Sequence, residues 1–484
     1  MRDLPTGWVW KEVRTICSIQ TGKKDVNQGS PTGKYLFFTC AAEPLKSEEY
    51  SFNGESILLP GNGANVGLVS YFNGEFEAYQ RTYILNDFSI GGRYLYFYFL
   101  GAWKNSLIDK QYGSATNYIR LANITEFEVP IAPLNEQHRI VAKLEKLLAK
   151  VNACGDRLDK IPTILKRFRQ SVLAAACSGR LTADWREQHP GIEPAEDLLK
   201  RIQDERIRHY EDDCERAKAE GRRKPKAPFY KDESIAELNI PLLWGLTYLG
   251  NITDAQGGIQ KTPKRRPTNN PYPYLRVANV YRGYLNLDAI EYFEIFDNKE
   301  LDKWKLKKGD LLVVEGNGSP TEIGRCALWN EEIPDCVHQN HIIRMRPFLN
   351  IDSSFLLTYL NAPQGREVMM QLSSSTSGLH TLSVGKINNI VIPLPPLEEQ
   401  QEIVRRVEAL FQKCDQIEAR YEKAKAYTDK LTQAILAKAF RGELVPQDPN
   451  DEPAEVLLER IKAEKAAAQP QKKPSKPRRR EAKA

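Results

Sequence analysis

The sequence predicts an α+β protein in which two mixed α/β modules alternate with two long helices that pair as an antiparallel coiled coil, with pseudo-twofold symmetry. Three observations predict this. Residues 133–181 align with 396–444 at a constant offset of 263 and without a gap, with 17 identities in 49 positions. Both segments carry an apolar stripe at heptad spacing. The segments ahead of them are short β-branched and aromatic runs broken by Gly, Asn and Pro.

Residues 1–132 read as the first module, with strands over 35–38 and 56–59 and a helix over 92–103. Residues 133–185 form the first helical region. Its stripe is Ile140, Leu144, Leu147, Val151, Cys154, Leu158, Ile161, Leu165, Phe168 and Val172. Pro133 marks its start and Gly179 its C-terminal cap, while Pro162 predicts a kink or short break. Residues 186–235 read as a charged helix, over 196–220, and a basic linker.

Residues 236–395 form the second module, with strands over 310–314 and 342–345 and a helix over 354–371. Residues 396–445 are the second helical region, between Pro396 and Gly442. Its stripe is Ile403, Val407, Leu410, Cys414, Ile417, Tyr421, Ala424, Thr428, Leu431 and Ile435. An apolar stripe of this kind needs a partner helix. Ile140, Leu144, Leu147, Val151 and Leu158 are therefore expected to pair with the stripe holding Ile403, Val407, Leu410, Ile417 and Leu431. About 43 residues at ~1.5 Å each make a rod of roughly 60–65 Å. Residues 446–484 read as a short helix and a disordered basic tail.

Weaker echoes extend the duplication. EPAEDLLKRI from Glu193 returns as EPAEVLLERI from Glu452, and Pro5 and Trp8 match Pro241 and Trp244. Residues 54–63 also align without a gap to 309–318.

Composition narrows the class. With 484 residues, 41% hydrophobic, the chain has enough apolar content for several domains. The last 16 residues hold seven Lys/Arg and one Glu, which accounts for the whole net charge of +6. A neutral body does not suit a sequence-blind DNA binder, so basic loops or partners must supply any attraction to phosphate. Eight cysteines without a CxxC pair argue against a disulfide framework and the usual zinc modules. Nothing at the start resembles a signal peptide and no apolar run is long enough for a membrane, so a soluble, cytoplasmic protein is expected.

The loops between the strands are rich in side chains that pair with base edges or phosphates. In the first module these are Lys23, Lys24, Asn62, Asn65, Gln80, Arg81, Ser114, Thr116 and Asn117. In the second they are Gln260, Lys261, Lys264, Arg265, Arg266, Asn317, Ser319, His338, Gln339, Asn340, Ser375, Thr376 and Ser377. Catalytic motifs are weak by comparison. Asn270-Pro271-Tyr272-Pro273 lacks the adjacent prolines and glycine-rich loop of an amino-methyltransferase. Cys336, His338 and His341 do not share one face of a strand, Asp310 and Glu315 lack a nearby nuclease lysine, and no phosphate loop occurs.

Three stretches carry a family resemblance: PLPPLEEQQEIVRRVEALF from Pro393, ILAKAFRGEL from Ile435 and IPTILKRFRQSVL from Ile161. The chain resembles the specificity subunit of type I restriction-modification systems, nearest the type IA, EcoKI-like branch. The resemblance implies that each module is a target-recognition domain for one half of a gapped, double-stranded DNA target. The helices would set the gap and dock two methyltransferase subunits, and two restriction-translocase subunits would complete the complex. It also implies that this chain is non-catalytic and holds no cofactor. S-adenosylmethionine, ATP and Mg, with adenine methylation and DNA cleavage, would belong to the partner subunits. Two other readings use the same architecture: a coiled-coil scaffold whose modules bind proteins, and a self-contained DNA-modifying enzyme.

Overall fold

The computed structural model describes residues 4–108, 112, 117–235, 239–317, 319, 322–376 and 379–468. Helices form where the heptad segments lie, with one interruption. The first segment gives Leu134–Leu158 and Ile161–Cys177. Pro162 falls in the first turn of the second piece, where its missing N–H removes no helical bond. The second segment has Lys425 at the matching place and runs unbroken over Leu397–Ala439. Gly179 and Gly442 both stand at φ 73°, where a side chain is strained. A Cβ would also press on the ring of Pro241 or Pro5, respectively.

The described chain divides into two compact units: residues 1–159 with 421–484, and residues 160–420. The first unit holds a six-stranded sheet in the order Ser18–Thr21, Thr82–Asn86, Phe52–Pro60, Ser70–Ala78, Tyr35–Phe38, Leu45–Ser47. Gly92–Ser106 is a helix whose Leu95, Phe99 and Trp103 share a core with Ile57, Leu59 and Leu85 of that sheet. Ile140, Leu144 and Leu148 from the start of the first long helix join this core, with Leu436 and Ala439 from the end of the second. Farther along, Lys425 Nζ meets Asp159 Oδ1 at 2.6 Å. The two helical stretches in this unit therefore run antiparallel.

The second unit holds a four-stranded sheet in the order Thr253–Gly257, Ile342–Pro347, Leu311–Val314, Cys326–Leu328. A smaller sheet orders Glu291–Glu294, Pro271–Leu275 and Val337–His338. The helix expected over 354–371 is two helices, Ser353–Asn361 and Pro363–Leu372, because Pro363 cannot continue the first. Its core takes Ile403 and Val407 from the start of the second long helix, and Val172, Ala176 and Cys177 from the end of the first. Arg169 reaches Asp415 at 2.6 Å and Glu418 at 2.9 Å, again in antiparallel register.

Each long helix is rooted in its module by the same polar contacts. Trp8 Nε1 donates to Glu136 at 2.9 Å, and Trp244 Nε1 donates to Glu399 at 2.8 Å. The next residue caps a module helix: Gln137 accepts from Gly91 N and Gln400 from Asp352 N. A two-stranded ribbon stands beside each root, Val9–Glu12 with Glu128–Ile131 and Gly245–Tyr248 with Val391–Leu394.

The heptad stripes are buried only in part. Ile140, Leu144, Val151, Ile403 and Val407 are buried, whereas Leu147, Leu158, Leu410 and Leu431 are half-buried. Leu148 is buried in place of Leu147, and Cys154, Phe168 and Ile417 are exposed. A straight helix drifts off a 3.5-residue repeat. Each helix also begins against its module and not against a second helix alone.

Glu399 is the better satisfied of the two rooted carboxylates. It accepts from Trp244, from Thr182 Oγ1 at 2.7 Å, and from the Arg186 guanidinium. Burial raises the Glu136 carboxyl above the usual glutamate range, against the Trp8 N–H and nearby Arg139. The same substitution should therefore have opposite effects at the two sites. Glu399→Gln, which leaves Arg186 without its charge partner, is expected to cost roughly 3 kcal/mol or more in urea unfolding. Glu136→Gln is expected to be neutral or stabilising at pH 7.5. The native state keeps its proton to higher pH than the unfolded chain does, so the contribution of Glu136 falls as pH rises above the ordinary glutamate range. Glu136→Gln should remove that fall from the curve of stability against pH. Equal losses at both sites would refute the difference.

Candidate nucleic-acid interface

In the first module, backbone hydrogen bonds stitch the polar loops into one surface. Gly61 N donates to Arg81 O at 2.8 Å, Gly63 N to Asn117 O at 2.8 Å, and Ile119 N to Gly61 O at 3.0 Å. Gln80 N donates to Lys24 O at 3.0 Å, and Thr82 N closes a turn onto Tyr79 O. Lys23, Gln80, Arg81 and Asn117 are exposed on this frame and Asn62 is half-buried.

The second module repeats the frame. Glu315 N donates to His341 O at 2.9 Å, Leu382 N to Glu315 O at 2.7 Å, Asn340 N to Ile259 O at 3.0 Å, and Ile342 N to Gln339 O at 2.9 Å. Matching these bonds corrects the sequence alignment by one residue. Gly61 corresponds to Glu315, so Asn62 stands where Gly316 does and Gly63 where Asn317 does. The strand registers agree, since Pro60 lies opposite Thr82 and Val314 opposite Ile342. An ungapped match at an offset of 255 preserved the glycines but not the pairing.

Several expected readers are committed to internal contacts. Lys24 Nζ lies 3.3 Å from Glu49 and 3.5 Å from Glu77, and Asn65 Nδ2 donates to Cys40 O at 2.9 Å. Arg265 pairs with Glu300 at 2.6 Å and lies 4.5 Å from the centre of the Phe296 ring. His338 is fully buried, which removes it from the readers. Its Nδ1 donates to Ile342 O at 3.0 Å, and burial lowers its pKa to about 4. Gln339 is half-buried, with its Oε1 3.4 Å from Val277 N.

Gln260, Lys261, Lys264 and Arg266 are exposed, Lys261 beside Glu291 at 3.1 Å, and Asn340 is half-buried, its Nδ2 3.4 Å from His341 Nε2. Asn317 lies on a short strand whose partner is Thr381 and His380, and Ser375 and Thr376 lie on the strand that pairs with 379–381. Ser319 lies in a bend. Ser114, Thr116 and Ser377 lie outside the described residues.

Sequence reasoning missed Tyr118, Arg120 and His341 as readers; like Tyr112, which opens the expected loop, they are exposed on the same frames. The signal was present in the two tyrosines that bracket residues 113–117.

The catalytic look-alikes have structural explanations. Glu294 accepts from the backbone N–H groups of Thr268 and Asn270 at 2.8 and 2.9 Å, which shapes the Asn269–Asn270 turn. Asp310 accepts from Arg346 Nε and Nη2, each at 2.7 Å. Among the described residues no group of three His, Cys, Asp or Glu side chains is placed to hold a metal, and no helix is long and apolar enough to cross a membrane.

Residues 5–162 and 244–426 match the family model described as the type I restriction modification DNA specificity domain. The EcoDI specificity subunit of a type I restriction enzyme from Escherichia coli is 31% identical over 481 residues, 96% of this chain and 97% of that one. The EcoKI specificity subunit of Escherichia coli K12 is 32% identical over 375 residues, covering 76% and 70%. The StySPI specificity subunit of Salmonella potsdam is 33% identical over 376 residues, with the same coverage. Among solved structures, a chain from work on assembly and conformational transition of the type I R-M system superposes with a TM-score of 0.62 at 18% identity, covering 92% of this chain and 100% of its own. The HsdS subunit of Thermoanaerobacter tengcongensis gives 0.51 at 18% identity, covering 91% and 98%. At such identities the likeness speaks for the fold.

The burial of His338 gives a pH test. The native state excludes a proton that the unfolded chain binds below about pH 6.5. Stability is therefore complete above that value and falls as pH drops toward about 4. The loss should reach roughly 3 kcal/mol, and His338→Gln should lessen it in urea unfolding at pH 7.5 and pH 5. An unchanged pH slope in the variant would show that His338 is solvated.

Proposed function

The chain belongs to the type I restriction modification DNA specificity family, and on that premise we propose that it reads a two-part DNA target, one half through each module. One observation carries this reading: a single backbone frame is built twice and dressed differently. Asn62, Gln80 and Arg81 of the first module stand where Gly316, Asn340 and His341 stand in the second. Identical loops would read one sequence twice, whereas different donors and acceptors on one frame suit two unlike half-targets. The reading gives this chain no bond-making step. Methyl transfer and cleavage fall to partner subunits that carry their own cofactors.

The long helices are the proposed ruler and the proposed dock. Ile164, Phe168 and Ile417 are exposed by 60%, 43% and 45% in one unit. The duplication places Tyr427, Leu431 and Cys154 at the matching positions of the other, where Tyr427 is exposed by 67%. Leu431 is half-buried, so the exposed pair Ile164 and Tyr427 is the apolar surface that the duplication repeats, and it fits two copies of one partner, the methyltransferase subunit. The neutral body fits as well, since the partners would supply much of the attraction to phosphate.

A band-shift titration with the co-expressed methyltransferase subunit tests the reading. Sequence-selective, salt-sensitive binding is expected; binding without sequence preference, or none, would return the chain to a protein-binding scaffold. Ile164→Asp with Phe168→Asp should reduce co-purification of the partner while leaving the melting transition in place. Full retention of the partner would place the dock elsewhere. Removing residues 152–158 together with the facing 426–432 shortens the paired helices by ~10 Å. The tolerated gap should shrink by about three base pairs, at 3.4 Å each. An unchanged gap would show that the helices do not set it.

A further inference from the structure

Arg120 occupies a position that arginine does not favour. It is the N-cap of the short helix Leu121–Thr125. That position prefers Ser, Thr, Asn or Asp, whose side-chain oxygens accept a free helical N–H, and a guanidinium has no acceptor. The second module has Ser383 at the corresponding place, and its Oγ accepts from Lys386 N. The arginine therefore does something other than capping.

Its surroundings hold it in place without neutralising it. The guanidinium carbon lies 4.2 Å from the centre of the Tyr112 ring, and the Tyr118 ring lies 5.6 Å from that of Tyr112, inclined by 31°. Tyr112 and Tyr118 exchange both backbone hydrogen bonds, at 3.1 and 2.9 Å, and Arg120 N donates to Asn123 Oδ1 at 2.8 Å. Among the described residues no carboxylate pairs with Arg120, whereas Arg139, Arg169, Arg265, Arg276, Arg344 and Arg346 each meet one. The side chain is exposed, and it stands on the frame that carries Asn62 and Asn117.

A planar fork of donors, backed by an aromatic face and lacking a counter-charge, suits a planar acceptor pair. On the edge of a DNA base pair that acceptor pair is guanine O6 and N7. We propose that Arg120, steadied on Tyr112, reads a guanine in the half-target of the first module. This rests on the chain being a target reader. Because the side chain is already ordered, less rotamer freedom is lost on contact.

The test uses the full methyltransferase complex and a library of DNA sites randomised at every position. With Arg120→Ala, preference at one G·C pair of one half-target should fall by about ten- to a hundredfold, with the other half unchanged. Tyr112→Ala keeps the guanidinium and its hydrogen bond to Tyr118 but removes the ring beneath it, so it should weaken preference at the same pair by a smaller factor. Retained reading of the second half shows that the variant chains are folded. Unaltered preferences, a change confined to an A·T pair, or a uniform loss across all sequences, as a phosphate contact would give, each overturn the proposal. Absence of any preference in the unmodified complex would instead overturn the target-reader function itself.

Discussion

A side-chain oxygen that accepts a buried tryptophan N–H at the start of each long helix is the contact on which the rest of the molecule depends. Glu136 and Glu399 are almost wholly shielded from water. A charge in such a place costs several kcal/mol unless donors surround it. Helix start, strand ribbon and tryptophan must therefore assemble together, and the glutamine that follows fixes the first turn of a module helix. The two roots are not equally well furnished. Glu399 has a hydroxyl and a guanidinium besides the indole, while the carboxyl of Glu136 is held above its normal range by burial.

A rooted helix frees the outer loops to differ. Their backbones bond to one another in the same pattern in both modules, so the frame does not rely on the loop side chains. An asparagine can stand where the other module has a glycine, and an arginine where it has a serine, without changing the path of the chain. Under the proposed function, this separation of frame from side chain is what would let one fold carry two different reading surfaces.

Much of the architecture was legible because duplication leaves marks that local propensity does not. The constant offset disclosed the paired helices, Pro162 disclosed the break, and Trp8 and Trp244 marked equivalent strands. Burial was far less legible. Glu136 and Glu399 match in sequence as surface helix residues would, and nothing in the letters says that they are enclosed. His338 looks like a loop reader but sits on a short strand inside the module. Lys24, Asn65 and Arg265 are of types that pair with bases or phosphates, yet partners distant in sequence hold them. Arg120 was overlooked for the opposite reason: it follows the polar loop and begins a helix, where a reader is not sought. The one-residue slip between residues 54–63 and 309–318 arose because matched glycines outweigh register in an ungapped alignment, whereas cross-strand bonds fix register absolutely.

The most direct test of a two-headed reader is the methylation pattern it leaves. Single-molecule methylation mapping of a host carrying the complete system should reveal two short blocks of fixed sequence separated by a constant run of unspecified bases. A single uninterrupted block, or methylation with no common sequence, would contradict it.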